Sequence, residues 1–295
     1  MASARDLKKK IRSISNTAKI TRTMEMVATA KSKRAQSRVE ATKPYSNKLV
    51  DILTNLQASG TVEHPLLETR ENIGCNLLLV VTANRGLCGG YNSNILSMVE
   101  KWLRQESAEG RETDVYLVGR KGIARFRYLR IASVEQHTHF EDNPTFNECD
   151  VLASEFMRRF LRREVDRVVV ASTLYESVAR QHPKLTQVLP VEQSEADTDA
   201  GDDESGAGGS VDFLFEPERE KILETLLPLS VKQRVYRLFL EAAVSEQIAR
   251  RMAMKLASDN ADEMIGFYTR KYNRERQAGI TQQITEIVTA AEALQ

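Results

Sequence analysis

The residues best placed to do chemistry form a glycine-rich turn, Arg85-Gly86-Leu87-Cys88-Gly89-Gly90, which follows a run of apolar residues. Backbone N–H groups at such a strand-to-helix turn can hold phosphate. The turn has neither the G-x-G-x-x-G spacing of dinucleotide sites nor the lysine that ends a P-loop, and the turn at residues 119–122 fails in the same way. We therefore predict tight packing of a strand on a helix here, rather than a phosphate site.

Cys88 could act as a nucleophile, because the start of a helix lowers the pKa of a thiol. No histidine or acid is placed in the sequence as its base, and zinc-binding, nucleophile-elbow and kinase motifs do not occur. The three cysteines are odd in number and widely separated, which suits reduced thiols better than disulfides. We expect His137 and His139 to be ordinary surface residues. The sequence thus predicts no catalytic residue, metal or cofactor.

Composition narrows the class of protein. With 42 basic and 41 acidic residues, the formal net charge is +1, so no global excess of charge points to nucleic acid or lipid. The hydrophobic content of 41% is enough for a buried core. Neither a run of 18 apolar residues nor a signal-peptide pattern is present, so we expect no membrane insertion.

The chain is organised around its two ends. Residues 230–295 predict one long helix that starts after a break at Pro228, on the order of 100 Å at ~1.5 Å per residue. Its seam has the 4-3 spacing of a coiled coil, at Val231, Val235, Leu238, Ala242, Ser245, Ala249, Met252 and Leu256.

Residues 5–56 predict a second long helix, in which Pro44 is expected to produce a kink. Its stripe consists of Leu7, Ile11, Ile14, Ala18, Thr21, Met24, Ala28, Ala35, Val39, Thr42, Tyr45, Leu49, Leu53 and Leu56. Two long seams most simply bury each other, so we predict an antiparallel pair. The alternative is two separate helices that each pack on a globular core.

In the middle of the chain, segments with a strand pattern alternate with segments with a helix pattern. Continuous apolar runs at 76–83 and 168–172 predict buried strands, and residues 115–118, 131–138 and 184–191 predict further strands. Residues 94–107, 122–129 and 149–163 predict helices. This order predicts a mostly parallel, Rossmann-like α/β sheet covered on both faces. The predicted domains are a coiled-coil helix at 1–58, the α/β domain at 75–192, an acidic flexible loop at 193–210, and a foot segment with the second helix at 211–295.

Charge and apolar residues are distributed unevenly along the helices. Residues 1–43 hold twelve bases and three acids, which suits nucleic acid, an acidic protein surface, or simply a solvated face. Residues 192–204 hold seven acids and no base, so we expect a mobile loop that continues to Ser210. Residues 280–294 are apolar over much of their circumference and should be enclosed by a partner.

Three separated motifs carry a resemblance. Residues 10–28 (KIRSISNTAKITRTMEMVA), residues 85–92 (RGLCGGYN), and residues 245–255 (SEQIARRMAMK) with 276–282 (RQAGITQ) are similar to the gamma subunit of F-type ATP synthases. The resemblance implies an antiparallel coiled coil that stands inside a hexamer of alpha and beta subunits, with the Rossmann-like domain beside the epsilon subunit and the membrane rotor ring. It implies a non-catalytic rotor that transmits torque between ion flow and ATP synthesis, peripheral on the cytoplasmic side of a bacterial inner membrane, with a proton or sodium coupling ion.

The resemblance also suggests contact residues. Candidates for contact with beta subunits are Lys10, Arg12, Lys19, Met24, Arg250, Gln277 and Thr281. Candidates near the rotor ring and epsilon are Phe213, Phe215 and Glu216, and the apolar bearing tip comprises Ile284, Ile287, Val288 and Ala291. Asn84 stands where the family usually has an acid, Thr23 stands where alanine is usual, and no closely spaced cysteine pair is present for a thiol switch.

Two other classes of function stay open at this point. One is a free coiled-coil protein that binds nucleic acid through its basic helix, which would show a steep salt dependence. The other is a nucleotide-dependent enzyme built on the sheet, which would need the phosphate loop that the sequence lacks.

Overall fold

A computed structural model describes residues 4–58, 64–70, 73–191 and 219–292 of the chain. Contacts divide the chain into two compact units. The helical unit combines residues up to Ala30 with residues from Arg250 onward, and the sheet unit runs from Lys31 to Ala249. The elements are α1 (Ala4–Ala58), β1 (Cys75–Val81), α2 (Tyr91–Ala108), β2 (Glu112–Val118), α3 (Arg120–Leu129), β3 (Glu135–His137), α4 (Phe146–Leu161), β4 (Arg167–Tyr175), β5 (Gln181–Leu189) and α5 (Arg219–Glu292).

The five strands form one sheet in the order β3-β2-β1-β4-β5. The first four strands are parallel and β5 is antiparallel to β4, which confirms the prediction of a mostly parallel sheet. In the central strand, Leu79 pairs with Tyr116 on one side and with Val170 on the other. The predicted strand at 131–138 is shorter than expected, because only Glu135–His137 pairs with β2.

Both faces of the sheet are buried, which explains the continuous apolar run of β1. Leu77 and Leu79 point into a core that α4 and α5 cover, whereas Leu78 and Val80 point into a second core that α2 and α3 cover. All four side chains have no exposed surface. The alternation of side chains along a strand therefore divides one apolar run between two helical layers.

Helix α5 starts at Arg219 and continues through Pro228, so the predicted break at this proline was wrong. Leu223, Leu227, Val231 and Val235 recur every fourth residue and are buried in the core between the sheet and α5. Burying such side chains contributes ~1.5–3 kcal/mol each. Together they outweigh the cost of roughly 3 kcal/mol for an internal proline. Helix α1 likewise continues through Pro44.

The predicted antiparallel pairing of α1 and α5 is confirmed inside each unit. In the helical unit, Thr21 meets Ser258 at 2.8 Å, and Lys10, eleven positions earlier, lies over the ring of Tyr268. In the sheet unit, Gln233 donates to the hydroxyl of Ser46 at 3.1 Å. Within each unit, positions that come later in α1 thus meet positions that come earlier in α5.

The predicted seam of α5 packs against the sheet as well as α1. Val231, Val235, Leu238 and Ala242 lie in the core that the sheet shares with Leu49 and Leu53 of α1. A second stripe, which meets α1 at Ala35 and Val39, consists of Leu240, Val244 and Ile248. The helix therefore carries two apolar stripes in this region. The seam predicted from the 4-3 spacing is the stripe that faces the sheet.

Three further seam positions are exposed rather than buried. Met252 and Leu256 are 56% and 61% exposed, and the buried side chains of this part of α5 are Met254, Ser258 and Ala261. The predicted seam continues the spacing of the residues of α5 that face the sheet. Farther along the helix, that spacing does not lead to the side that faces α1. On α1, Tyr45 is also exposed. The neighbouring Ser46 is buried instead, and its hydroxyl accepts a hydrogen bond from Gln233.

Candidate functional site

The glycine-rich turn is a packing element, as predicted. Leu87 and Gly89 have φ values of 63° and 55°, a left-handed geometry that reverses the chain tightly between β1 and α2. The Asn92 side chain fixes this turn, since its Oδ1 accepts from the N–H of Ala83 at 2.9 Å and its Nδ2 donates to the Cys88 sulfur at 3.1 Å. Cys88 is 2% exposed.

A small cavity of about 140 Å³ lies beyond the carboxyl ends of β1 and β2, inside the sheet unit. Its lining mixes both signs of charge, including Arg85, Arg120, Glu141, Asp142 and Glu246. Sites for cofactors and drug-sized ligands usually measure roughly 300–1,000 Å³. The cavity is too small for a nucleotide. Among the described residues, no group of three or more His, Cys, Asp or Glu side chains could hold a metal ion.

Asp142 is a residue that sequence reasoning missed. Its carboxylate accepts from Lys31 Nζ of α1 at 2.5 Å and from Gln247 Nε2 of α5 at 2.8 Å. Sequence separations of 111 and 105 residues leave no local signal for these bonds. The loop after β3 is therefore bonded to both long helices within the sheet unit.

The predicted surface histidines differ from each other. His139 is exposed, but His137 is half-buried, with its ring 5.5 Å from that of His139 and 6.2 Å from that of Phe140. Desolvation lowers the pKa of His137, and the Glu135 carboxylate at 3.2 Å opposes this shift only in part. For His137, the expectation of an ordinary surface residue was thus wrong, because β3 places its side chain beside Phe140.

In the helical unit, the basic candidates on α1 point outward. Lys10, Arg12 and Lys19 are exposed, and Met24 is half-buried. Lys10 Nζ lies 4.6 Å from the centre of the Tyr268 ring, a cation–π contact that still leaves the lysine exposed. The surface of α1 is thus available for an acidic partner.

Arg250 differs from the other candidates because it is only 8% exposed. A buried arginine needs polar partners, so a role within the chain is as well supported as contact with another subunit. Gln277 and Thr281 are exposed, and the Thr281 hydroxyl donates to the backbone oxygen of Gln277 at 3.1 Å. The candidate residues do not converge on one point. They are distributed along two helices.

The end of α5 carries a bare apolar face. Every residue from 276 to 291 is exposed. Ile280, Ile284, Ile287 and Val288 are 45%, 56%, 69% and 49% exposed, and their spacing places them on one side of the helix, with Ala291 on the same side. Nothing in the part of the chain that the structure describes covers this face. We call residues 276–291 the α5 end.

Some predicted features lie outside the described residues. These are the rotor-ring and epsilon candidates Phe213, Phe215 and Glu216, and the acidic loop at 193–210. Within the described helices, no segment is long and apolar enough to cross a membrane.

The fold and the surfaces together define a class of protein. The chain has a Rossmann-like sheet and two long helices that pair antiparallel, a fold that it shares with a solved central-stalk chain of an ATP synthase. A solved chain of the Euglena gracilis mitochondrial ATP synthase (OSCP/F1/c-ring, rotational state 3) superposes with a TM-score of 0.69 at 21% identity, over 99% of this chain and 94% of that chain. A Tetrahymena thermophila mitochondrial ATP synthase central stalk/c-ring chain has a TM-score of 0.57 at 22% identity, over 81% of this chain and 99% of that chain.

Sequence comparisons give the family. A family profile described as ATP synthase matches residues 3–294. The ATP synthase gamma chain of Leptospira biflexa is 43% identical over the full length of both chains, and that of Gemmatimonas aurantiaca is 40% identical, also over the full length of both. The chain therefore belongs to the ATP synthase gamma-chain family. It is a rotor-stalk subunit of that enzyme complex, and nothing in the comparisons supports the nucleic-acid alternative.

Proposed function

We propose that this subunit transmits torque between a membrane rotor ring and a catalytic hexamer of alpha and beta subunits, without carrying out catalysis itself. The observation that carries the proposal is the α5 end, an apolar helix face that the described chain leaves bare. Large exposed apolar faces mark surfaces that a partner covers. Helix α5 pairs with α1 along part of its length and exposes an apolar face at its end. Such a helix is suited to rotating inside a ring of surrounding subunits.

The charge of α1 supports the same function. Lys10, Arg12 and Lys19 are exposed on the helical unit, where they can meet acidic side chains of beta subunits. Contacts between exposed charges are individually weak, worth roughly 0–1 kcal/mol, so they can form and break as a rotor turns. Met24, Gln277 and Thr281 are proposed to make steric and polar contacts with the same subunits.

The remaining partners are proposed from the family resemblance. Phe213, Phe215 and Glu216 are assigned to contact with the rotor ring and the epsilon subunit. The complex is placed at the cytoplasmic face of a bacterial inner membrane, where the subunit is held peripherally by its partners. The coupling ion is a proton or sodium.

Rotation can be tested with a label on the sheet unit of the assembled complex. Ala179 is exposed in the turn between β4 and β5, so Ala179→Cys offers a reactive thiol, whereas Cys88 and Cys149 are buried. In a Cys75→Ser background, we expect a fluorophore at this position to turn in steps while the immobilised complex hydrolyses ATP. A label that stays still during sustained hydrolysis would refute the proposal.

A further inference from the structure

The loop between β3 and α4 is bonded to elements on both of its sides. Its residues 138–142 lie at the carboxyl edge of the sheet, and their bonds to Asn84, Lys31 and Gln247 fall inside the sheet unit. On the sheet side the loop is bonded to Asn84, which follows β1. On the helix side it is bonded to α1 and α5.

The bonds on the sheet side come from one amide. Asn84 Nδ2 donates to the backbone oxygens of Phe140 at 2.6 Å and Thr138 at 3.2 Å, while its Oδ1 accepts from the N–H of Arg120 at 3.1 Å. The orientation of the amide is fixed by these partners, because an N–H must face an oxygen and two carbonyls must face donors. An aspartate at this position could keep the bond from Arg120, but it would turn a carboxylate oxygen toward two carbonyl oxygens.

The contacts of the loop with α1 and α5 are partly apolar and partly charged. The Phe140 ring, 6% exposed, stacks on Phe239 of α5 with centroids 4.7 Å apart. Two residues later, the Asp142 carboxylate bonds to Lys31 of α1 and Gln247 of α5 through separate oxygens. Bonds in which one partner is charged are roughly twice as strong as neutral ones. One short loop thus ties the sheet to both helices of the pair.

We propose that the loop at residues 138–142 is a clasp that carries load between the sheet and the two long helices, with Asn84 and Asp142 as its two attachment residues. The proposal rests on the torque-transmitting function proposed above. The apolar core between α5 and the sheet holds the helix in place, but apolar contacts have no direction, and packed surfaces can slide. Directional bonds at Asp142 resist such sliding for α1 and α5 at once. Asn84 and Asp142 are positioning residues, since neither is placed at a reaction centre.

The test compares Asn84→Ala, which removes the donated bonds, with Asp142→Asn and the double variant in the purified complex. Loss of either attachment should raise the hydrogen-exchange rate of the Gly119 amide, which donates to the backbone oxygen of His137 beside the loop at 2.9 Å, by about tenfold or more, because each attachment consists of two hydrogen bonds. Because both attachments act on one loop, the double variant should exchange little faster than the faster single variant. Asp51→Asn is the matched control, since the pair that Asp51 makes among the described residues is with Lys48 of its own helix, at 3.1 Å.

The functional readout is the number of ions pumped per ATP hydrolysed by the reconstituted complex against a gradient. We expect this ratio to fall in both single variants while the melting temperature and the hydrolysis rate without a gradient stay near those of the parent. Unchanged exchange, log-additive effects in the double variant, or an unchanged pumping ratio would each overturn the proposal. Asp142→Ala, which removes both oxygens, provides a stronger perturbation if the asparagine retains its bonds. A label that fails to rotate would instead refute the torque function, independently of the exchange results.

Discussion

Truncating the apolar face of the α5 end should weaken assembly without weakening the chain. The double variant Ile284→Ala/Ile287→Ala removes most of two side chains that are 56% and 69% exposed. Alanine is the best helix former, so the helix itself should not suffer. The isolated chain should therefore unfold within about 0.5 kcal/mol of the parent, as expected for surface substitutions.

In the complex, the expected loss follows from the same exposures. Fully burying an isoleucine contributes ~1.5–3 kcal/mol, and more than half of each side chain is still available for a partner to cover. The two truncations together should then cost about 2–3 kcal/mol of binding. Since about 1.4 kcal/mol corresponds to a factor of ten, the affinity for the remaining subunits should fall roughly 30- to 150-fold.

The assay is a titration of labelled subunit into a preparation of the complex that lacks it, beside urea unfolding of the isolated chain. The control is Gln282→Ala/Glu286→Ala on the opposite side of the same helix, where the two side chains bond only to each other at 2.9 Å among the described contacts. An affinity loss equal in the two double variants would show that the apolar face has no special role. An unchanged affinity in the isoleucine variant would refute the idea that a partner encloses this face.

Two further predictions concern the sheet unit. Gly119→Ala should destabilise the chain by about 2–4 kcal/mol, because its φ is 94° and an added Cβ would overlap the carbonyl oxygen of Thr82. The control Gly110→Ala, with φ 75° but open space around it, should cost only about 1–2 kcal/mol in urea unfolding. Burial lowers the pKa of His137 below its ordinary value of 6.5, so the unfolded chain binds the proton more readily. Stability should consequently fall as the pH drops through 6.5 toward the lowered folded value, and His137→Asn should reduce this fall, as checked by urea unfolding between about pH 7.5 and about pH 5.5. If the stability of the variant fell equally steeply with pH, the acid sensitivity would belong to other groups. His64 is one such group, because burial also lowers its pKa.

Local sequence patterns predicted the elements, but not all of their partners. The apolar run of β1 and the alternation of strands and helices fixed the α/β class, because burial on two faces leaves a signal in every residue. The two stripes of α5 were harder, since a helix buried on both sides has apolar residues around most of its circumference. Periodicity alone therefore assigned Val235 to α1, although its core also contains side chains of the sheet, such as Leu77.

Polar contacts between distant segments were beyond the reach of sequence patterns. Asp142 looks like an ordinary loop acid, and only the folded chain brings Lys31 and Gln247 to it. Asn84 departs in the sequence from the family's usual acid, but the two bonds that it donates to Thr138 and Phe140 depend on where the fold places the loop after β3. The candidate contacts with other subunits, such as Lys19 and Thr281, stay predictions because their partners are separate chains.

The two units differ in what holds them, and this difference bears on function. The sheet unit buries large side chains such as Phe156 and Phe160 completely. In the helical unit, the bonds between α1 and α5 include a hydroxyl pair at Thr21 and an exposed ion pair between Arg22 and Asp262, and pairs of that kind contribute only ~0–1 kcal/mol. Residues 276–291 are exposed along their whole length among the described residues, and isolated helices of about 12–15 residues are barely stable in water. On the proposed function, the stiffness that torque transmission requires comes from subunits that enclose this end, so we expect the α5 end to gain its rigidity on assembly.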